Sequence, residues 1–176
     1  MKISIDALSP KSIDAAIKKL GDYSKWIEVR AKVLCERLAE RGLEVAGVEF
    51  GSAIYDGTND VKVRLYDDGK KMRVLAEGET VLFIEFGTGV THQTYHPKRN
   101  EMGMNLEIGG YGHGLGRLNG GWRYPEAKGA GTYGEKDPKH PGYIHTYGNP
   151  ANMPMYNASQ DIRNEMLRIA REVFQS

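Results

Sequence analysis

All five histidines of the chain, His92, His96, His113, His140 and His145, lie between Gly87 and Gly148, and they are the first residues to test for chemistry. His92 and His96 have the i, i+4 spacing that lets two imidazoles share a metal on one helix face. Pro97 follows at once, however, the stretch does not read as helix, and the chain has no His-Glu-x-x-His motif. These histidines read as polar loop or interface residues whose charge responds to mild acid, and no metal site is expected. No nucleophile is set up either. No serine sits in a Gly-x-Ser-x-Gly elbow. The single cysteine, Cys35, belongs to a helical stripe or its flank and should be a small buried apolar residue. One cysteine also excludes an internal disulfide. Asp67-Asp68 ahead of Gly69 is turn chemistry. Gly109-Gly110-Tyr111-Gly112-His113-Gly114 has the glycine content of a phosphate cradle, but no strand precedes it and no helix opening with Lys-Ser/Thr follows. The expectation is a protein with no catalytic residue and no cofactor. A metal-dependent hydrolase using the loop histidines is the weakest alternative.

Charge and aromatic content bear on binding instead. Lys98, Arg99, Arg117, Arg123, Lys128, Lys136 and Lys139 are interleaved with Tyr and Trp, a combination that can neutralise and stack on single-stranded nucleic acid. They are nearly balanced by Glu101, Glu107, Glu126, Glu135 and Asp137, and the whole chain carries a formal net charge of only +1. Near balance favours protein partners over nucleic acid. Glu85 stands apart: an acid within the apolar run Val81 to Phe86 needs a hydrogen-bonding or basic partner, or an interface to face. Anchoring a neighbouring turn and contacting another subunit are both open to it. No apolar run approaches the ~18 residues of a membrane span, and the N-terminus lacks a signal-peptide core, so the chain is expected to stay in the cytoplasm until it assembles.

The elements that must position these residues can be read from periodicity. At 176 residues the chain suits a single domain with an elaboration. Ser9-Pro10 marks a helix start, with Ile13, Ala16, Ile17 and Leu20 at helical spacing before Gly21. A second helix is expected from the stripe Tyr23, Ile27, Ala31, Leu34 and Leu38, stopping near Arg41 at Gly42. From Val45 the period changes to two, with Ala46, Val48 and Phe50 on one side of an expected strand. Val61, Val63 and Leu65, the turn Asp67-Asp68-Gly69, then Met72, Val74 and Ala76 make a hairpin. Val81 to Phe86 fits a buried strand or a short helical piece. Residues 87–148 hold most of the 22 glycines, with Tyr95, Tyr111, Trp122, Tyr124, Tyr133, Tyr143 and Tyr147 scattered among them. This insertion reads as an extended loop or arm, and its aromatics suit an arm that acquires partners better than a solvated linker. Pro154 opens a closing helix whose stripe is Ala158, Ile162, Met166, Ile169, Ala170 and Val173. The fold class is α+β, with N-terminal helices and a long C-terminal helix packed on a small, mainly antiparallel sheet.

Two phrases bracket the insertion: Phe83-Ile84-Glu85-Phe86-Gly87-Thr88-Gly89, and Gly148-Asn149-Pro150-Ala151-Asn152-Met153-Pro154-Met155-Tyr156-Asn157-Ala158. Together they resemble the small HK97-type phage tail-component family, whose members have a hydrophobic segment ending in Glu-x-Gly-Thr and a proline-containing entry to the last helix. Gly121-Trp122-Arg123-Tyr124 is similar to a Gly-Trp-aromatic step in some relatives. The resemblance implies a structural part of the tail or head-tail junction, a connector or tail-completion protein acting in virion assembly. It implies tail or neck proteins as partners, a homo-oligomeric ring in the virion, and neither membrane nor specific nucleic-acid binding. Position by position, Glu85, Gly87 and Thr88 match the signature, with Phe86 and Gly89 beside them, and Pro154 with Ala158 matches the entry to the closing helix. Trp122 and Tyr124 are the aromatic interface candidates. The long insertion is a departure from shorter relatives and puts a simple transfer of their ring geometry in doubt.

Overall fold

A computed structural model of the chain describes residues 3–6, 8–87, 96–98, 101, 122–128 and 134–175. The protein is α+β, with long N-terminal and C-terminal helices and small antiparallel sheets. Helix α1 spans Pro10–Gly51, strands β1 and β2 span Lys62–Asp67 and Met72–Glu77, and α2 is Val81–Phe86. Strands β3 (Trp122–Pro125), β4 (Glu135–Lys136) and β5 (Tyr143–Thr146) lie within the segment expected to be loop, with a 3-10 turn at Glu126–Lys128. Helix α3 closes the chain as Pro154–Gln175. The fold divides into two compact units, one formed by Met1–Leu38 with Glu165–Ser176, the other by Ala39–Asn164.

The sequence suggested two N-terminal helices and a strand, whereas one helix of 42 residues runs through all three. Its start is as expected: the Ser9 carbonyl accepts from the amides of Ser12 and Ile13, and Pro10 takes the first helical position. Gly21 and Gly42 do not stop it. Ala39, Gly42, Ala46 and Phe50 are buried at steps of three, four and four, one helix face, while Val48 is exposed. A strand would have put Val48 on the same side as Ala46 and Phe50, so the helical period buries more apolar surface from the same residues. Gly42 marks a close approach: a β-carbon there would lie 2.7 Å from Ile162 Cδ1 and 3.2 Å from Val74 Cγ2.

In the larger unit, Ala46, Phe50, Ile84 and Ala158 form the core, flanked by Val61, Val63, Val74, Ala76 and Met155. The hairpin forms as expected, antiparallel with Val63 opposite Ala76 and Leu65 opposite Val74. Asp67 and Asp68 tie its turn by accepting from the amides of Gly69, Lys70 and Lys71. Arg41 forks onto Asp161 of α3 through Nε and Nη2, at 2.7 and 3.0 Å. The second sheet has the order β3-β5-β4, both pairings antiparallel.

In the smaller unit, Tyr23 stacks on Trp26, Arg30 lies over the Trp26 ring, and Phe174 meets that ring edge-on. Arg37 pairs with Glu172 at 3.2 Å. Ala16, Ile169 and Val173 are buried, but Ile13, Ile17 and Leu20 are exposed. Two expectations change here. Cys35 is exposed rather than buried, and Met166 of the closing stripe is also exposed. Both sit on faces of their helices that this unit leaves uncovered.

Candidate functional site

The two phrases that bracket the insertion meet in space. Residues 81–86 resolve into a short helix that ends at Gly87, burying Ile84, Glu85 and Phe86. The Glu85 carboxylate reaches the first turn of α3, where Oε2 accepts from the Met155 amide at 2.8 Å and Oε1 from the Tyr156 amide at 3.0 Å. Helix α3 carries no acid in its own first turn. Glu85 therefore supplies from another element the negative charge and acceptors that the open amides at a helix N-terminus require. Of the two roles open to Glu85, the geometry supplies the anchoring one. The backbone continues the seam: the carbonyls of Ile84 and Glu85 accept from the amides of Asn152 and Met153. Met153, at φ 60°, then offers its carbonyl to Asn157 as the helix begins.

Gly87 is required on two counts. Its φ is +71°, and a β-carbon there would lie 2.5 Å from the Ala151 nitrogen and 2.8 Å from the Asn149 oxygen. No side chain fits between these backbones.

His96 completes the polar cluster. Its Nδ1 accepts from the Lys98 amide at 3.0 Å, so Nε2 carries the proton and donates to Glu85 Oε1, also at 3.0 Å. The ring packs on Phe86 and edge-on against Tyr156. Both ring nitrogens are thus committed inside the fold, and a buried carboxylate that accepts three hydrogen bonds is well satisfied.

Protein-family models, curated proteins and solved structures yield no match to this chain.

Three residues that sequence reasoning did not single out hold the same region. Asn152 pairs with Ile54 as a strand would, its Oδ1 accepting from the Ile54 amide and its Nδ2 donating to the Ile54 carbonyl, each at 2.9 Å. Asn149 Oδ1 accepts from the amide of Asp56 at 2.8 Å. Asp56 is buried and accepts from the Thr146 hydroxyl. The available signal was two asparagines flanking a proline before a helix, because Asn side chains readily imitate backbone hydrogen bonding in turns.

The remaining expected residues divide. Pro154 and Ala158 are buried in the first turns of α3, Ala158 within the core. Trp122 and Tyr124 belong to β3, opposite Thr146 and Ile144 of β5. Tyr124 is half-buried, and a β-carbon on Gly134 would come within 2.8 Å of its hydroxyl. Arg123 between them binds Asp137, which also accepts from the amides of Lys139 and His140 and from the His140 ring. That guanidinium, more than the amides, holds the Asp137 carboxyl well below the usual carboxylate range. Thr88, Gly89, His92 and His113 lie outside the described residues. Among the described residues no group of three His, Cys, Asp or Glu side chains could hold a metal ion, and no helix is long and apolar enough to cross a membrane.

Proposed function

We propose that the protein is a structural component of a bacteriophage tail or head-tail junction that acts in virion assembly through oligomeric contacts, as a tail-completion or connector part, and not as an enzyme. The observation that carries this reading is that the residues resembling the family signature, Glu85, Gly87, Pro154 and Ala158, act together as one structural lock between α2 and α3. A signature spent on holding a fold is what a scaffold part needs. Exposed Ile13, Ile17 and Leu20 on α1 offer apolar area for contacts with other chains. The nucleic-acid alternative loses support because Lys98, Arg123 and Lys136 are each paired with an acid, Glu101, Asp137 and Glu126. Of the loop histidines on which the hydrolase alternative rests, His96 has both ring nitrogens in hydrogen bonds within the fold, which counts against its use as a base.

The reading is tested by deleting the gene from the phage or prophage that carries it and scoring particles by electron microscopy, with the purified virions searched for the protein by mass spectrometry. Heads without joined tails, restored by the wild-type protein, are expected. A Trp122→Ala/Tyr124→Ala chain that melts normally should restore them poorly. Normal particles in the deletion strain, together with absence of the protein from virions, overturn the proposal.

A further inference from the structure

A cavity of about 460 Å³ opens within the larger unit. Its lining comes from four places in the chain: the loop after α1, the residues leading into α2, the end of β3 with its 3-10 turn, and the end of β5. The loop from Tyr55 to Asp60 is stitched to the other three. Asp60 accepts from the amides of Glu79 and Thr80 and from the Thr80 hydroxyl. The amide and hydroxyl of Thr58 both donate to the Lys128 carbonyl at 2.6 Å. Asp56 takes the Thr146 hydroxyl, and its amide donates to Asn149. Gly78, at φ +151°, has no room for a side chain, since a β-carbon would lie 2.8 Å from Asp60 Oδ1. The walls are therefore built before any ligand arrives, which lowers the ordering cost of binding.

The lining combines two chemistries. Tyr55, Phe83 and Tyr124 supply aromatic surface, and Asp56, Asp60 and Glu79 supply acid. Among the described residues the one base in the lining is Lys128, whose side chain is well exposed and sits 3.7 Å from Glu79. We propose that this cavity is a binding site for an organic cation, a guanidinium or alkylammonium head group, held between the aromatic rings and the carboxylates. Aromatic rings attract cations through their negative faces and carboxylates supply charge and acceptors, whereas an anion would meet three acids. The size suits a head group with its aliphatic stem. Burial first, and then the negative charge of Asp60, pushes the pKa of the Tyr55 hydroxyl up to about 12. Hydrogen bonds from Thr80 and the Glu79 amide hold Asp60 below the ordinary carboxylate range, so it is a fixed anion at neutral pH. This site stands independently of the assembly reading. Its cation can be a free amine or an arginine or lysine side chain of another protein.

The test is an NMR titration of the full chain, following the rings of Tyr55, Phe83 and Tyr124, with three probes: agmatine, the peptide acetyl-Gly-Arg-Gly-amide, and the same peptide with neutral citrulline for arginine. Saturable shifts at these rings are expected, with the arginine peptide at least about tenfold tighter than the citrulline peptide. Agmatine binding tighter than the peptide assigns the site to a free amine, and the reverse order to a protein side chain. Glu79→Gln, at an exposed position, should weaken the cation roughly threefold without moving the melting temperature, and Tyr124→Leu roughly tenfold. Equal binding of the citrulline peptide, or no saturation by ~10 mM of either cation, overturns the proposal.

Discussion

Glu85 concentrates several demands on one side chain, because it is buried, charged and accepts from two helix amides and an imidazole. Glu85→Gln replaces one acceptor oxygen by an NH2 group that must face a donor. It should cost about 1.5–3 kcal/mol in urea denaturation, the range for hydrogen bonds to a charged group. A loss below half a kcal/mol would show that the carboxylate is not what holds the N-terminus of α3. Gly87→Ala should be at least as damaging, since it combines a positive φ with a 2.5 Å backbone clash. If that variant melts like wild type, residues 149–151 do not approach as described. Acid should act on this fold through Asp60 and Asp137, both held below their unfolded pKa. Such groups contribute stability at pH values above the unfolded carboxylate pKa near ~4, and lose it as pH falls through the lowered folded values. The melting temperature should therefore drop steadily between about pH 5 and pH 2. Asp137→Asn should be less stable at neutral pH, with a shallower fall in acid. An unchanged slope would remove Asp137 from the acid response.

At the scale of elements, the hairpin and the closing helix were legible because their residues obey one period at a time. The turn acids and Pro154 also sit where local chemistry needs them. The long first helix was not legible, because its glycines imitate stops and the stretch from Val45 to Phe50 satisfies both periods over a short span. Only burial of Ala46 and Phe50 without Val48 separates the two. At the site, Glu85 and Gly87 could be picked out as an acid in an apolar run and a glycine at its exit. Asn149 and Asn152 gave only the local signal of two asparagines about a proline and Asp56 gave none, since their partners lie some ninety or more positions away in the chain. The helical reading makes a prediction that a break at Gly21 would contradict. Gly21 and Gly47 both have open space where a β-carbon would stand. Gly21→Ala and Gly47→Ala should each stabilise by about 0.5–1 kcal/mol, from the backbone entropy glycine loses in a helix interior. Gly42→Ala should gain less than either or destabilise, because its β-carbon meets Ile162 and Val74. Urea melts followed by circular dichroism compare the three. Equal gains at all three positions would mean that α3 is not seated against Gly42.

At the scale of the whole molecule, the two units differ in how they bury apolar surface. The larger closes a core around Ala46, Phe50, Ile84 and Ala158. In the smaller, the first turns of α1 leave Ile13, Ile17 and Leu20 exposed, with Ala16 their buried neighbour. Helical hydrogen bonds alone hold a segment of this length only marginally, since packing of an apolar face supplies most helical stability. Opening of residues 12–25 should therefore cost less free energy than opening of the larger unit's core. Hydrogen exchange read by mass spectrometry should show amides of 12–25 exchanging at least about tenfold faster than those of 46–50 and 158–162, at protein concentrations low enough to disfavour self-association. Raising the concentration separates two causes of slow exchange in α1. Protection of 12–25 that grows with concentration would mean that another copy covers the stripe. Protection equal to that of the core at every concentration would mean that α1 needs no cover, and the stripe would then lose its place in the argument for assembly.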